Sequence, residues 1–396
     1  MSDEGPRVRH IAERIARDLD DLRAQSQFRT LGHPHGVNFC SNDYLGLASD
    51  PRLKKATLEA VGRAESLGGT GSRLFSGNAP EWEAVESRFA EFAGTEAALY
   101  FGSGYAANLG LLSSLLKRGD IVFSDAQNHA SLIDGIRLSH AEKIIYPHGD
   151  LHFLENALRA QAGRAGARVI VTESVFSMEG DVAPLDSLLR LAKQYGAEVV
   201  LDEAHATGVC GPRGRGIAAE VGVERDLLAI VHTCGKALAS AGAFVCGSRA
   251  LREFLTNHAR TFIFSTAMPP YLAGQIRAAL DFSSEADESR AHLREIAALL
   301  RDGLAAAGID TGTSTTHILP VLLGSNEAAL HVSGELQRSG FAVRAIRPPT
   351  VPPGTARVRI SLTSRITREE IHRLVAAIEA AVKSAPRAAS ASAVHA

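Results

Sequence analysis

The stretch GAEVVLDEAHATG, residues 196–208, carries a short apolar run straight into an acid and a histidine. A run of that length, rich in β-branched side chains and bounded by glycine and charge, reads as a strand buried on both faces. Similar runs lie to either side: AALYF (97–101), DIVFSD (120–125), EKIIYP (142–147), ARVIVTE (167–173), LLAIVHT (227–233) and AFVCG (243–247). Helical stretches separate them, so the expected architecture is α/β, a mostly parallel seven-stranded sheet covered by helices. In such sheets chemistry gathers at the carboxyl ends of the strands.

Beyond a polar helical stretch near 285–306 the pattern changes to THILPVLLG (316–324), FAVRAI (341–346) and ARVRISLT (356–363), which reads as a smaller α+β domain. Its last helix should open at Thr367 with Glu370 as a capping box, ahead of Ile371, Leu374, Val375 and Ile378. The expected division is an N-terminal helical segment and arm (1–45), a large domain (46–285), a small domain (286–384) and a disordered tail (385–396). A chain of 396 residues is long enough for two or three domains.

Hydrophobic residues make up 45% and charged residues 22%, and the net charge is -2, so no positive field argues for a nucleic-acid partner. The four cysteines lie far apart, without the spacing of a zinc site or disulfide framework. The N-terminus lacks a signal-peptide apolar core, and no apolar run approaches the roughly 18 residues of a membrane span. These features lead us to expect a soluble, cytoplasmic protein with a small-molecule substrate.

The chemistry-bearing residues sit where strands end. Asp202 and His205 follow the strand at 197–201, and Thr233 and Lys236 follow the strand at 227–232. A pyridoxal 5'-phosphate site needs a carboxylate to keep the ring nitrogen protonated, an amine for the aldehyde and a donor for the phenolic oxygen. Asp202, Lys236 and His205 match those needs. Singly, such an aspartate also reads as a cap and such a lysine as a surface charge; the apolar strand and small residues around Lys236 (GKALASAGAF) favour burial. The turn GSGYAANLGLL (102–112) opens a helix, so backbone N–H groups of Ser103, Gly104 and Tyr105 could face a phosphate, or simply make a tight connection. His129 could stack on a flat ring or be a packed histidine.

Several stretches together resemble the α-oxoamine synthases: NFCSNDYLGL (38–47), GGTGSRLFSGN (68–78), FGSGYAAN (101–108), NHASLIDG (128–135), TESVFSMEGD (172–181), LDEAHATGVCG (201–211), HTCGKA (232–237) and FIFSTAMPP (262–270). The resemblance implies fold type I and pyridoxal phosphate as cofactor. It makes Lys236 the residue bonded to the cofactor, Asp202 the ring-nitrogen partner, His205 the donor to the phenolic oxygen and His129 the stacking residue. Ser177 and Thr233 would lie near ring and phosphate, and Thr266 would reach the phosphate of a neighbouring subunit, which implies a homodimer with shared sites. Asn42, Arg347, Thr350 and Arg359 would bind substrate. The stretch AIRPPTVPPGTARVRISLT (345–363) is most similar to family members that condense L-alanine with a pimeloyl group on coenzyme A or acyl carrier protein.

The period of two in the last strand independently sends Arg357, Arg359, Ser361 and Thr363 to one face, which is either solvated or set against an anion such as a substrate carboxylate. Two departures from the family stand out: Ala239, where several members have glycine and where a methyl could narrow the space beside Lys236, and Ser72-Arg73 in the glycine-rich stretch. His33 and His35 (GHPHG) and the arginines of GPRGRG (211–216) read as polar loops rather than a metal site or an anion contact. An aminotransferase would share the lysine and aspartate, and a pyridoxal-binding regulator would need a DNA-binding domain for which the sequence before residue 38 leaves little room.

Overall fold

The computed structural model describes residues 10–386. The seven apolar runs form one sheet: β1 Ala97–Phe101, β2 Ile121–Asp125, β3 Glu142–Tyr146, β4 Arg168–Glu173, β5 Glu198–Asp202, β6 Ala229–Thr233 and β7 Ala243–Gly247. Their spatial order is β1-β7-β6-β5-β4-β2-β3. Strands β2 to β6 pair in parallel, and β7 runs antiparallel between β1 and β6. Parallel neighbours require crossovers, and helices supply them. Five consecutive buried residues in each of β1, β2, β6 and β7 explain why these strands show no polar alternation. The edge strand β3 is the exception: Glu142 and Lys143 are exposed, and charge there discourages edge-to-edge pairing.

Side chains of alternate residues leave the sheet on opposite faces. Val231 joins Leu99, Val122 and Val200 in a cluster beneath helices Gly104–Leu115, Ala130–Ser139 and Arg249–His258. Its neighbour Ile230 joins Phe123, Phe244 and Leu201, packed with Trp82 and Phe89 of helix Pro80–Ala93. That second cluster continues into the small sheet through Val321, Val358 and Ile360.

The small sheet contains β8 Ile318–Gly324, β9 Arg344–Ile346 and β10 Ala356–Ser361, antiparallel in the order β9-β10-β8. The run 341–346 does not form one strand: Phe341–Ala342 pairs with Val37–Asn38, and β9 starts two residues later. Between them the Val343 carbonyl is taken by Ser333 Oγ and Gln337 Nε2, both at 2.9 Å, which breaks the ladder. Helix Asp287–Ala306 and the capping-boxed helix Arg368–Lys383 pack on each other and carry buried Leu293, Leu300, Ile371 and Leu374. Among the described residues no helix is long and apolar enough to cross a membrane. Residues 387–396 of the expected tail lie outside the described part of the chain.

Candidate active site

A cavity of about 410 Å³ opens at the carboxyl ends of β5 and β6, lined by Asp202, His205, Thr233 and Lys236, with Gly104 and His129 from the neighbouring turns. Parallel pairing accounts for the meeting: Asp202 sits opposite Val231 in the ladder, so the segments leaving β5 and β6 emerge side by side.

Asp202 is buried and held from both sides. Asn108 Nδ2 donates to Oδ2 at 2.7 Å, and the Ala204 N–H donates to Oδ1 at 2.8 Å. His205 bridges two groups, its Nδ1 2.6 Å from the Tyr44 hydroxyl and its Nε2 2.9 Å from Lys236 Nζ. Burial, reinforced by the cationic Lys236, pushes the His205 pKa well down, so this ring stays neutral. Lys236 is partly buried, and loss of solvent lowers its ammonium from the ordinary 10.5 to about 8 despite the nearby carboxylates of Asp202 and Glu173. Glu173, also buried, is pushed well above the usual carboxylate range by burial and by Asp202.

His129 caps helix Ala130–Ser139, its Nδ1 2.8 Å from Ser131 Oγ, while its own N–H donates to Glu173 Oε1 at 2.6 Å. At the opposite wall Ser103 caps helix Gly104–Leu115, its hydroxyl accepting from the Ala106 N–H at 3.0 Å. The N–H groups of Gly104 and Tyr105 open that helix, and a methyl built on Gly104 would come within 3.3 Å of Thr233 Cγ2. Such an N-terminus is a ready anion site.

The small sheet approaches the cavity through Arg359, which together with Ser177 lies behind the wall rather than in it. Its Nε donates to the Ser177 carbonyl at 2.6 Å, and both terminal nitrogens reach Asn42 Oδ1, at 3.1 and 3.2 Å. Asn42 lines the cavity. Arg357, two residues earlier, is paired with Glu179 at 3.0 Å. Both arginines are buried, which rules out the solvated-face reading of this strand.

The remaining candidates lie elsewhere. Arg347 donates to the Ser26 carbonyl, and Thr350, exposed, follows in the same proline-rich turn with its N–H on the Arg347 carbonyl at 3.1 Å. Neither lines the cavity. Thr266 is exposed and bridged to Ser72. Ala239 lies outside the cavity wall and adopts a left-handed φ of 48°. Arg73 of the glycine-rich stretch pairs with buried Glu86, and Arg215 pairs with Glu224 at 2.5 Å.

Two polar wall residues, Asn108 and Glu173, and Tyr44 behind the wall escaped the sequence reading. Asn108 lies one turn into the helix from Gly104 and so shares its face, a signal available from spacing alone. Glu173 lies opposite Asp202 in the β4/β5 ladder. Tyr44, fully buried in a loop, offered no periodic signal.

The chain belongs to the class I and II aminotransferase family, whose model matches residues 34–378, and with that family goes the fold type I architecture of pyridoxal-phosphate enzymes. More narrowly, it is 47% identical over 379 residues to an 8-amino-7-oxononanoate synthase of Geobacter sulfurreducens, covering 92% of this chain and 96% of that one. A solved 8-amino-7-oxononanoate synthase of Francisella tularensis superposes with a TM-score of 0.77 at 30% identity, over 88% of this chain and 98% of the other. A serine palmitoyltransferase of S. paucimobilis, solved with bound PLP and myriocin, gives 0.87 at 29% identity over 95% and 99%.

Proposed function

We propose that this protein condenses L-alanine with a pimeloyl group carried on coenzyme A or acyl carrier protein, releasing carbon dioxide, free thiol and 8-amino-7-oxononanoate, a step of biotin synthesis. The observation that carries the reading is the 47% identity, over 92% of the chain, to a relative named for that product.

The cavity fits pyridoxal phosphate on its own terms. An acid, an amine and a neutral imidazole converge on one space, a helix N-terminus faces it, and Asn108 Oδ1 in its wall is buried without a protein partner. When bound, the cofactor supplies an electron sink for the α-carbon, first as its proton leaves and again as carbon dioxide leaves. Asp202, fixed by Asn108 and the Ala204 N–H, holds the proton on the ring nitrogen. Lys236 would bond the cofactor aldehyde and, once displaced by alanine, would take the α-proton, a role favoured by the burial that lowers its ammonium to about 8 in the cofactor-free protein. The Tyr44 hydroxyl, 2.6 Å from Nδ1, fixes the His205 ring so that Nε2 faces the space where the phenolic oxygen would lie.

His129 stacks on the ring and assists proton transfers, Ser177 lies near the ring, and the Ser103, Gly104 and Tyr105 N–H groups with Thr233 take the phosphate. Arg359 holds the alanine carboxylate. Its partners are neutral oxygens, so its buried charge still calls for an anion. The working unit is a homodimer in which exposed Thr266 completes the partner's phosphate site, and Arg347 and Thr350 meet the substrate from the proline-rich turn that lies against the N-terminal arm. Residues 46–285 form the cofactor domain and 286–384 the smaller one.

The test is to incubate the purified holoenzyme with L-alanine and, in turn, pimeloyl, acetyl, succinyl and palmitoyl thioesters, and to identify the product by mass. Preferential formation of 8-amino-7-oxononanoate is expected. Preference for the palmitoyl donor would move the protein towards the serine palmitoyltransferase it also resembles, and amino-group transfer without carbon dioxide would make it an aminotransferase.

A further inference from the structure

We propose that His148 is a positioning residue that locks together two turns of the active site: the turn after β2, which ends in His129, and the turn after β4, on which Arg357 and Arg359 are anchored. The functional consequence rests on the roles given above to His129 and Arg359.

His148 lies in the loop following β3, outside the cavity wall. Its Nδ1 is 3.0 Å from Asp125 Oδ1 and its Nε2 is 2.9 Å from Asp181 Oδ2, and its ring stands edge-on to Phe176 at 4.3 Å. Carboxylates only accept, so a ring bonded to one on each side must carry both protons; neutral imidazole could serve only one. Burial alone would lower its pKa, but the bonds to Asp125 and Asp181 reverse this and raise it from 6.5 to about 10. The imidazolium therefore persists across the physiological range.

Each aspartate organises one turn. Buried Asp125 ends β2, and its carboxylate also accepts from the Gln127 N–H at 2.8 Å and the Gly149 N–H at 3.3 Å. Asn128 and His129 follow directly, and Asn128 Nδ2 is fastened to the Val171 carbonyl at 2.8 Å. On the other side Asp181 closes the turn that begins at Phe176, whose N–H donates to the Asp181 carbonyl at 3.1 Å. That turn presents the Ser177 carbonyl to Arg359 and Glu179 to Arg357. It is tied to the loop that enters β8 as well, since Thr313 Oγ1 reaches Asp181 at 3.2 Å and Thr316 Oγ1 reaches the Gly180 carbonyl at 2.7 Å. The cofactor-stacking histidine and the carboxylate-binding arginine thus hang from turns joined through one ring.

The test is a double-mutant cycle on the holoenzyme, combining Asp125→Ala with Asp181→Ala and reading alanine affinity from the bound-cofactor absorbance. His148→Phe, which keeps an aromatic ring against Phe176, should lower kcat/KM for alanine roughly 100-fold, the scale of a small misplacement of reacting groups, while Lys236 still bonds the cofactor. The two aspartate substitutions should couple in the wild-type background and become additive in His148→Phe. Additivity in both backgrounds would overturn the proposal, as would a loss of stability in His148→Phe with unchanged alanine affinity. Should the variant not fold, nitrogen NMR of the histidine-labelled wild type decides: two ring N–H protons on His148 at neutral pH are expected, and a singly protonated ring refutes the link. The alanine-affinity cycle and the NMR need no thioester, so a different product would sink the proposed function and leave this inference standing.

Discussion

On the large sheet, Asp202 and Lys236 come from the ends of adjacent parallel strands; on the small sheet, Arg357 and Arg359 come from a single antiparallel strand. Parallel register brings the first pair together by backbone geometry, because neighbouring parallel strands finish at the same edge. The second pair share a face by period alone, and their partners tell them apart. Arg357 is neutralised by Glu179 at 3.0 Å, whereas Arg359 rests on the Ser177 carbonyl and the Asn42 amide oxygen. A buried guanidinium held only by neutral oxygens retains its need for a carboxylate. One edge is organised by topology, the other by its unspent charge.

The largest effects should fall on the topological edge. Lys236→Ala should abolish condensation and remove the site at which borohydride fixes the cofactor to the protein, since only a primary amine can bond the aldehyde. Mass spectrometry of reduced peptides checks it, and a pyridoxyl group on another lysine would break the contrast at its root. Asp202→Asn should fold normally yet slow turnover roughly 100- to 1000-fold, about 3 to 4 kcal/mol, the usual cost of losing an electrostatic partner in a desolvated site. Near-normal turnover would reduce Asp202 to a cap for the Ala204 N–H.

The same contrast explains what could be read from the sequence. Strands of the large sheet are continuous apolar runs, and LDEAHATG and VHTCGK each end such a run with polar residues, so the sequence announces the fold and four residues that line its cavity. Tyr44 and His148 are legible only in three dimensions: both act across loops, Tyr44 on His205 at 161 residues' separation and His148 on Asp181 at 33. The broken strand at 341–346 was equally hidden, because the Ser333 and Gln337 side chains that interrupt it come from a helix. Arg347 is singled out by the family resemblance alone, and its carbonyl partner Ser26 lies too far away in sequence for any periodicity to register.

On the small sheet, Arg359→Ala should weaken alanine binding by about 2 to 5 kcal/mol, the range for truncating one partner of a buried charge-assisted pair. The cofactor's absorbance without alanine should not change. Arg357→Ala should weaken alanine less and instead lower the unfolding midpoint, because it leaves Glu179 without its counter-ion. Alanine titrations and urea unfolding of both variants separate the roles. If the two arginines proved interchangeable, the partner-based distinction would be lost.

A titration sharpens the same comparison, since an arginine stays charged while Lys236 is tuned. In the cofactor-free protein the folded-state pKa is about 8 and the ordinary value is 10.5, so between them the unfolded chain holds the extra proton. Stability attributable to Lys236 should therefore rise as pH increases from about 8 to 10.5, and below 8 its full cost, roughly 3 kcal/mol at 1.36 kcal/mol per unit, should be present. Subtracting urea unfolding curves of apo Lys236→Met from those of the apo wild type isolates this slope from His148, whose raised pKa acts in the opposite direction. A flat difference would mean that the lysine is solvated after all.

The smallest expected effect lies three residues beyond that lysine. Ala239 holds a φ of 48°, the left-handed region, with its N–H on the Lys236 carbonyl at 2.9 Å and its own carbonyl bound by Gln275 Nε2 at 3.2 Å. Those two bonds fix the turn that aims the lysine, and a side chain in this conformation costs about 1 to 2 kcal/mol. Glycine would relieve that strain but would also make the unfolded chain more flexible, by about 0.4 to 1 kcal/mol. Ala239→Gly should accordingly raise stability by a net amount of up to about 1.6 kcal/mol, with cofactor bonding and acyl preference unchanged because the methyl is not part of the cavity wall. Urea midpoints of the two holoenzymes measure it. A lower midpoint in the glycine variant would show that the methyl's packing outweighs the backbone strain, and that the edge set by topology also depends on a side-chain contact at the turn after its lysine.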